Sequence, residues 1–202
     1  ESRSDVKREW VNGEAFAMAG GTPVHALVVG NVTSALGAAL RTKSCRAFSS
    51  ELRVHIPRTG LYTYPDATVV CGPIELHSDG LSVTNPTLVC EVLSEGTESY
   101  DRGAKLAHYE SVPTITDYLL CATDDRVIEH YQRRGPNQWL VTRHAVGSAA
   151  VVPVPSLGIE LSLVAVYEGW EDVRAAMTRA TRAPRVAPHA VRKPPLRAKR
   201  KR

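Results

Sequence analysis

No run of apolar residues in this chain approaches the roughly 20 that a membrane-spanning helix requires. The opening stretch, ESRSDVKREW, also lacks the apolar segment of a secretory leader. Cysteine is scarce. Cys45, Cys71, Cys90 and Cys121 are the only four, none in CxxC spacing, which argues against a zinc-binding module. Three of them fall in apolar, strand-like runs, so the expectation is a cytoplasmic protein, without membrane contact, whose four thiols are reduced and packed in the core. Internal repeats are absent too, which excludes a solenoid.

What is present is enough for one domain. A chain of 202 residues with 43% hydrophobic content can bury a sizeable core and has little left for a second one. The net charge of +4 conceals an asymmetry. Residues 182–202, RAPRVAPHAVRKPPLRAKRKR, carry nine Lys or Arg and no acid, leaving 1–181 with sixteen basic and twenty-one acidic residues. The sequence therefore divides into a mildly acidic domain, 1–181, and a disordered basic tail, 182–202, too poor in large apolar groups to order itself. The tail is either a solvated extension or an arm that binds phosphates without sequence preference, and the two are compatible.

Asn12–Gly13, flanked by alternating apolar residues, predicts a hairpin. Thr22 as N-cap and Pro23 at the first helical position start a helix running to about Leu40, with Val24, Leu27, Val28, Asn31 and Ala35 on one face. "CRAFSSELRVHIP" alternates like a strand, and "YTYPDATVVCG" and "NPTLVCEVLS" read as two more. "TESYDRGAKLAHYESVP" reads as a helix stopped by Pro113. "TDYLLCAT", "RVIEHYQRR" and "QWLVTRH" are further strands, and a last helix spans about Val164 to Thr181. Strands before and after the helices predict an α/β (α+β) domain around one mixed sheet.

Two carboxylates fit this pattern badly. Asp66 follows Pro65 directly at the head of an apolar strand, and Glu91 interrupts the apolar run "TLVCEVLS". Period-two geometry places Val89, Glu91 and Leu93 on one face and Leu88, Cys90 and Val92 on the other. An unpaired buried carboxylate costs several kcal/mol. Two acids on neighbouring strands relieve each other if a hard divalent cation sits between them. Asp101, Lys105 and Tyr109 share one face of the next helix, and if it packs beside the Glu91 strand, Lys105 points at the acids. Two acids, a metal and a lysine suit phosphodiester hydrolysis.

The ordered set "GGTPVH", "SELRV", "YPD", "EVLS" and "YDRGAK" resembles the PD-(D/E)XK nuclease pattern, specifically its Uma-type family of restriction endonucleases. The similarity runs from "EWVNGEAFAMAGGTPVH" to "LGIELSLVAVYEGW", nearly everything but the tail. The resemblance implies a restriction-endonuclease-like mixed central sheet flanked by helices, with Mg2+ (or Mn2+) held by Asp66, Glu91 and the carbonyl of Val92. The superfamily lysine normally lies two residues after the second acid, where this chain has Leu93, so the resemblance assigns that role to Lys105 on the following helix. Its accessory positions fall on His25 and Glu51. Glu51 is either a third metal-side acid or an exposed strand residue. His25 is a group behind the metal ligands, a phosphate contact or a structural residue. Nucleic acid, DNA above all, is the implied substrate, and a homodimer is implied by analogy with enzymes that cut both strands. The competing expectation is a noncatalytic module of the same fold that binds nucleic acid or a partner through its tail.

Overall fold

The computed structural model describes residues 8–11, 14–17, 20–136 and 138–182. Its elements are β1 (Arg8–Val11), β2 (Glu14–Ala17), α1 (Pro23–Ala39), β3 (Cys45–Ser49), β4 (Arg53–Ile56), β5 (Leu61–Thr63), β6 (Ala67–Cys71), β7 (Ser82–Val83) and β8 (Leu88–Val92). There follow α2 (Glu98–Tyr100), a π-helical turn π1 (Asp101–Lys105), α3 (Leu106–Glu110), β9 (Asp117–Cys121), β10 (Val127–Gly135), β11 (Gln138–Ala145), β12 (Val151–Val154), β13 (Ile159–Ser162), α4 (Leu163–Val166) and α5 (Trp170–Arg182). Most of the basic tail, 183–202, lies outside the described residues, as does the Asn12–Gly13 turn.

The central sheet is mixed and six-stranded, in the order β11-β10-β9-β8-β6-β3. Only β8 and β9 run parallel, and the helical stretch 98–110 makes the crossover that parallel strands require. All five residues of β8 and all five of β9 are buried, as expected of strands covered on both faces. On one face, Val28, Val32 and Leu36 of α1 pack with Ala67, Val69, Leu88, Cys90 and Leu119, and β12, β13 and α4 close that core. On the other, Val89, Leu93, Tyr118 and Leu120 meet Tyr109 and Val112 from the crossover. Val54, Ile56 and Leu61, from a second sheet ordered β2-β1-β5-β4-β7, complete this layer. The domain thus carries a second sheet over the central one, where the sequence suggested a single sheet.

Local chemistry explains most of the elements. The Thr22 hydroxyl accepts from the His25 N–H at 3.3 Å, capping α1, and Pro23 needs no partner there. The buried stripe of α1 is Val24, Val28, Val32 and Leu36, rotated from the expected one. Asn31, expected on the core face, instead donates its amide to the carbonyls of Val166 and Glu168 at 3.1 and 2.9 Å. The single strand expected over 45–57 is two, β3 and β4, which belong to different sheets. Likewise the strand expected over Tyr62–Gly72 breaks at Pro65–Asp66 into β5 and β6. The last helix is interrupted at Gly169, whose φ of 73° suits glycine, and residues 151–162 form a hairpin that periodicity missed.

Four reduced thiols were expected, and this is corrected. Cys45 and Cys71 are bonded to each other, while Cys90 and Cys121 are free and buried. The register of β3 on β6 sets Cys45 directly opposite Cys71, a proximity that spacing along the chain cannot reveal. The bond closes a 26-residue separation that includes both β4 and β5. Under denaturing, non-reducing conditions thiol titration should therefore find two reactive cysteines, and four after reduction. Cys45→Ser should lower unfolding free energy by about 2–4 kcal/mol in chemical denaturation. Four reactive thiols before reduction would refute the assignment.

Candidate active site

Pro65 cannot donate to a ladder, so the chain leaves the second sheet there and enters the central sheet one residue later. Asp66 stands at that junction. The register of β6 on β8 runs from Val69↔Leu88 to Ala67↔Cys90, and Asp66 and Glu91 are the next positions beyond it. Residues directly opposite one another share a face, so both carboxyl groups belong to the face covered by the crossover helix. Asp66 Oδ2 accepts a hydrogen bond from the Val92 N–H at 2.8 Å. Because N–H and C=O of one strand residue point to the same edge, the Val92 carbonyl is directed toward Asp66 as well.

Glu91 is 3% exposed. Its Oε1 accepts from Lys105 Nζ at 2.9 Å and from the Tyr109 hydroxyl at 2.7 Å. Lys105 also meets Glu9 Oε1 at 3.0 Å and Asp101 Oδ1 at 3.7 Å. Asp101 and Lys105 bound the π-helical turn, and Tyr109 follows four residues later, so the shared face read from the sequence is present and buried. Single π turns inside α-helices often mark functional sites. Here the turn supplies both Asp101 and Lys105 to the cluster.

Glu9 was missed. It comes from β1 in the second sheet, is buried, and its Oε1 also receives the Thr63 hydroxyl. The hairpin reading contained a weak signal, since period two sets Glu9 opposite in facing to Trp10. An exposed tryptophan beside an inward glutamate inverts the usual expectation.

His25, in the first turn of α1, brings Nε2 to 3.6 Å from Asp66 Oδ2. The ring packs over Gly21, where a Cβ would come within 2.5 Å of His25 Nδ1, so the second glycine of "GGTP" leaves room for it. Glu51 takes a different position from the one expected. It lies exposed in the turn between β3 and β4 rather than on a strand. Glu14 is exposed beside its turn, as expected.

The electrostatics are unbalanced. Asp66, Glu91, Glu9 and Asp101 gather around one lysine and one histidine. Burial pushes the Glu91 carboxyl up to about 8, Lys105 opposes the shift, and the charge of Asp66 adds to it. Burial likewise raises Asp66, against the Val92 N–H, His25 and Lys105. For Lys105, burial acts to lower the pKa, but Glu91, Glu9 and Asp101 together outweigh it and hold the ammonium above its ordinary range. The Thr68 hydroxyl, on the same face of β6 as Asp66, is buried without a partner.

Excess negative charge, an orphaned hydroxyl and oxygen donors from Asp66, Glu91 and the Val92 carbonyl fit a hard divalent cation whose remaining positions are water. Among the described residues no three His, Cys, Asp or Glu side chains are gathered as ligands, so side chains alone do not complete such a site.

Residues 1–165 match the Uma2 family, described as "Putative restriction endonuclease". The chain belongs to the Uma2 family. It is 31% identical over 169 residues to the uncharacterized protein slr1290 of Synechocystis sp., covering 84% of this chain and 87% of that one. To sll1609 of the same organism it is 32% identical over 143 residues, covering 70% and 81%. In fold it is similar to a crystal structure of a putative nuclease belonging to DUF820 from Anabaena variabilis, with a TM-score of 0.64 at 20% identity, covering 83% of this Uma2 chain and 92% of that one. The mixed sheet flanked by helices is thus a nuclease-like fold.

The burial of Glu91 has a measurable consequence. In the fold it keeps its proton to about 8, against 4.5 as the ordinary value, so between these limits the native state binds more protons than the unfolded state. The stability linked to this group therefore falls as pH rises through that window. Glu91→Gln removes the effect. Without divalent cation, the Tm of the variant minus that of wild type should increase from about pH 5 to about pH 8. A difference independent of pH would show that Glu91 is ionised throughout.

Proposed function

We propose that this Uma2 protein is a divalent-metal-dependent endonuclease that hydrolyses phosphodiester bonds of nucleic acid, with DNA as substrate and Mg2+ or Mn2+ as cofactor. The observation that carries the proposal is the Asp66 carboxylate on the Val92 N–H, one residue along from Glu91, with Lys105 on Glu91. In this reading Asp66, Glu91 and the Val92 carbonyl hold the cation. A bound cation would supply Lewis-acid stabilisation of the phosphate and a more acidic water. Lys105, kept protonated by its acidic neighbours, stabilises charge developing on the attacked phosphate. Glu9 and Asp101 also meet the lysine, at 3.0 and 3.7 Å, and would keep it in place with Glu91 holding a cation. His25 orients Asp66 from the far side, and Glu51 has no part at the reacting atoms.

The noncatalytic alternative has one supporting feature, the basic tail, because an acidic body does not by itself attract a polyanion. No described helix is long and apolar enough to cross a bilayer. We also propose a cytoplasmic location. The Cys45–Cys71 bond is unusual for that compartment, where thiols are kept reduced.

Cleavage of DNA should require added Mg2+ or Mn2+. Asp66→Asn, Glu91→Gln and Lys105→Ala should each reduce turnover by about 10²-fold or more. Lys105→Ala should leave metal affinity, measured by calorimetry, nearly unchanged. Removing residues 183–202 should spare cleavage of short substrates while weakening binding to long DNA and flattening its salt dependence by about 0.9 per lost phosphate contact. Absence of metal-dependent cleavage of any nucleic acid, with binding lost on tail removal, would establish the noncatalytic alternative.

A further inference from the structure

The six-stranded sheet ends in β11, eight residues whose outer side pairs with nothing among the described residues. Proteins blunt such edges with short strands, proline or charge, because unpaired N–H and C=O groups invite another strand. This edge has little of that protection. It has no proline, Arg143 is its only Lys, Arg, Asp or Glu, and Leu140 and Val141 are 46% and 51% exposed.

The register identifies the free groups. β11 pairs antiparallel with β10, with Val127 opposite Ala145 and Tyr131 opposite Val141. The Val146 N–H donates to the Arg126 carbonyl at 3.0 Å, which makes Arg126 and Val146 a hydrogen-bonded pair. Such pairs alternate along an antiparallel ladder, so Leu140, Thr142 and His144 bond inward to β10. Trp139, Val141 and Arg143 therefore turn their N–H and C=O groups outward.

We propose that this protein forms a two-fold dimer in which β11 pairs antiparallel with β11 of a second copy, centred on Val141. In that register Val141 meets Val141, and Trp139 of each copy meets Arg143 of the other, through the outward groups. Leu140 is covered by Thr142 of the second copy. Arg133, from the inner strand β10, lies 4.3 Å from the centroid of the Trp139 ring, and Arg143 of the second copy approaches the same ring from the outer side. Arg143 is free to do so. Its ion pair with Asp125 is 3.9 Å long and both side chains are 66% exposed, a weak attachment. Centring on Arg143 would set like charges opposite each other, which is destabilising. Centring on Thr142 would set Val141 against Arg143 and leave Trp139 facing Ala145. β8 lies three strands inboard, so the pairing leaves the surroundings of Glu91 unchanged, and the dimer does not depend on the proposed chemistry.

Sedimentation equilibrium of the full chain should give twice the 22.0 kDa protomer mass. Val141→Lys, which opposes two ammonium groups on the dyad, should raise the dissociation constant by at least about tenfold while keeping the far-ultraviolet circular dichroism of wild type. A second variant guards against misfolding. Val141→Cys should form a covalent dimer with a short bis-maleimide, and Leu81→Cys, at an exposed residue outside β11, should not. A wild-type monomer at tens of micromolar would overturn the proposal, including the case in which residues 183–202 fold back on β11. So would a Val141→Lys dimer of unchanged affinity, or crosslinking through Leu81→Cys instead.

Discussion

A carboxylate in the middle of a buried strand constrains everything around it. Glu91 has apolar neighbours before and after it on β8, and water does not reach it to offset the loss of hydration. Lys105 and the Tyr109 hydroxyl answer that cost directly. Both come from the crossover between β8 and β9, so the connection that makes the two strands parallel also delivers the cation. Lys105 in turn is buried, and Glu9 and Asp101 complete its surroundings. The second sheet is therefore more than a cover for apolar surface, since β1 inserts a carboxylate into the interior of the domain.

A structural ion pair alone would be a smaller arrangement than this one. A single Glu–Lys pair can be retained for specificity at little gain in stability, and it needs no further acids. Here four carboxylates converge on one lysine and one histidine. Such a cluster is costly for the bare protein, and perturbed groups of this kind are more common at functional sites than in structural ion pairs. Burial drives the Glu91 carboxyl toward its neutral form, so under the proposed reading a cation would have to displace a proton there.

The DUF820 structure from Anabaena variabilis shares the fold at 20% identity, which shows how little of the sequence the architecture needs. Within this chain, steric demands fall on Gly21, where a Cβ would meet His25, and on Gly169 at positive φ. The identity of the side chains on the two inner faces can drift as long as volume and polarity are kept.

The sequence by itself determined the helix start at Thr22, the alternation of β8, the shared face of Asp101, Lys105 and Tyr109, and the oddity of Asp66 and Glu91, because each depends on neighbours a few residues away. The resemblance to the Uma-type family added the roles assigned to those acids and to Lys105. Tertiary structure decided what depends on distant segments meeting. The turn at 50–52 sends β3 and β4 to different sheets, and that removes Glu51 from the strand on which it was expected. Cys45 and Cys71 become partners only through the register of β3 on β6. Glu9 gains its place only when the second sheet closes over the first. Local periodicity reports which face a side chain takes, but which face it meets depends on the packing of elements far apart in the chain.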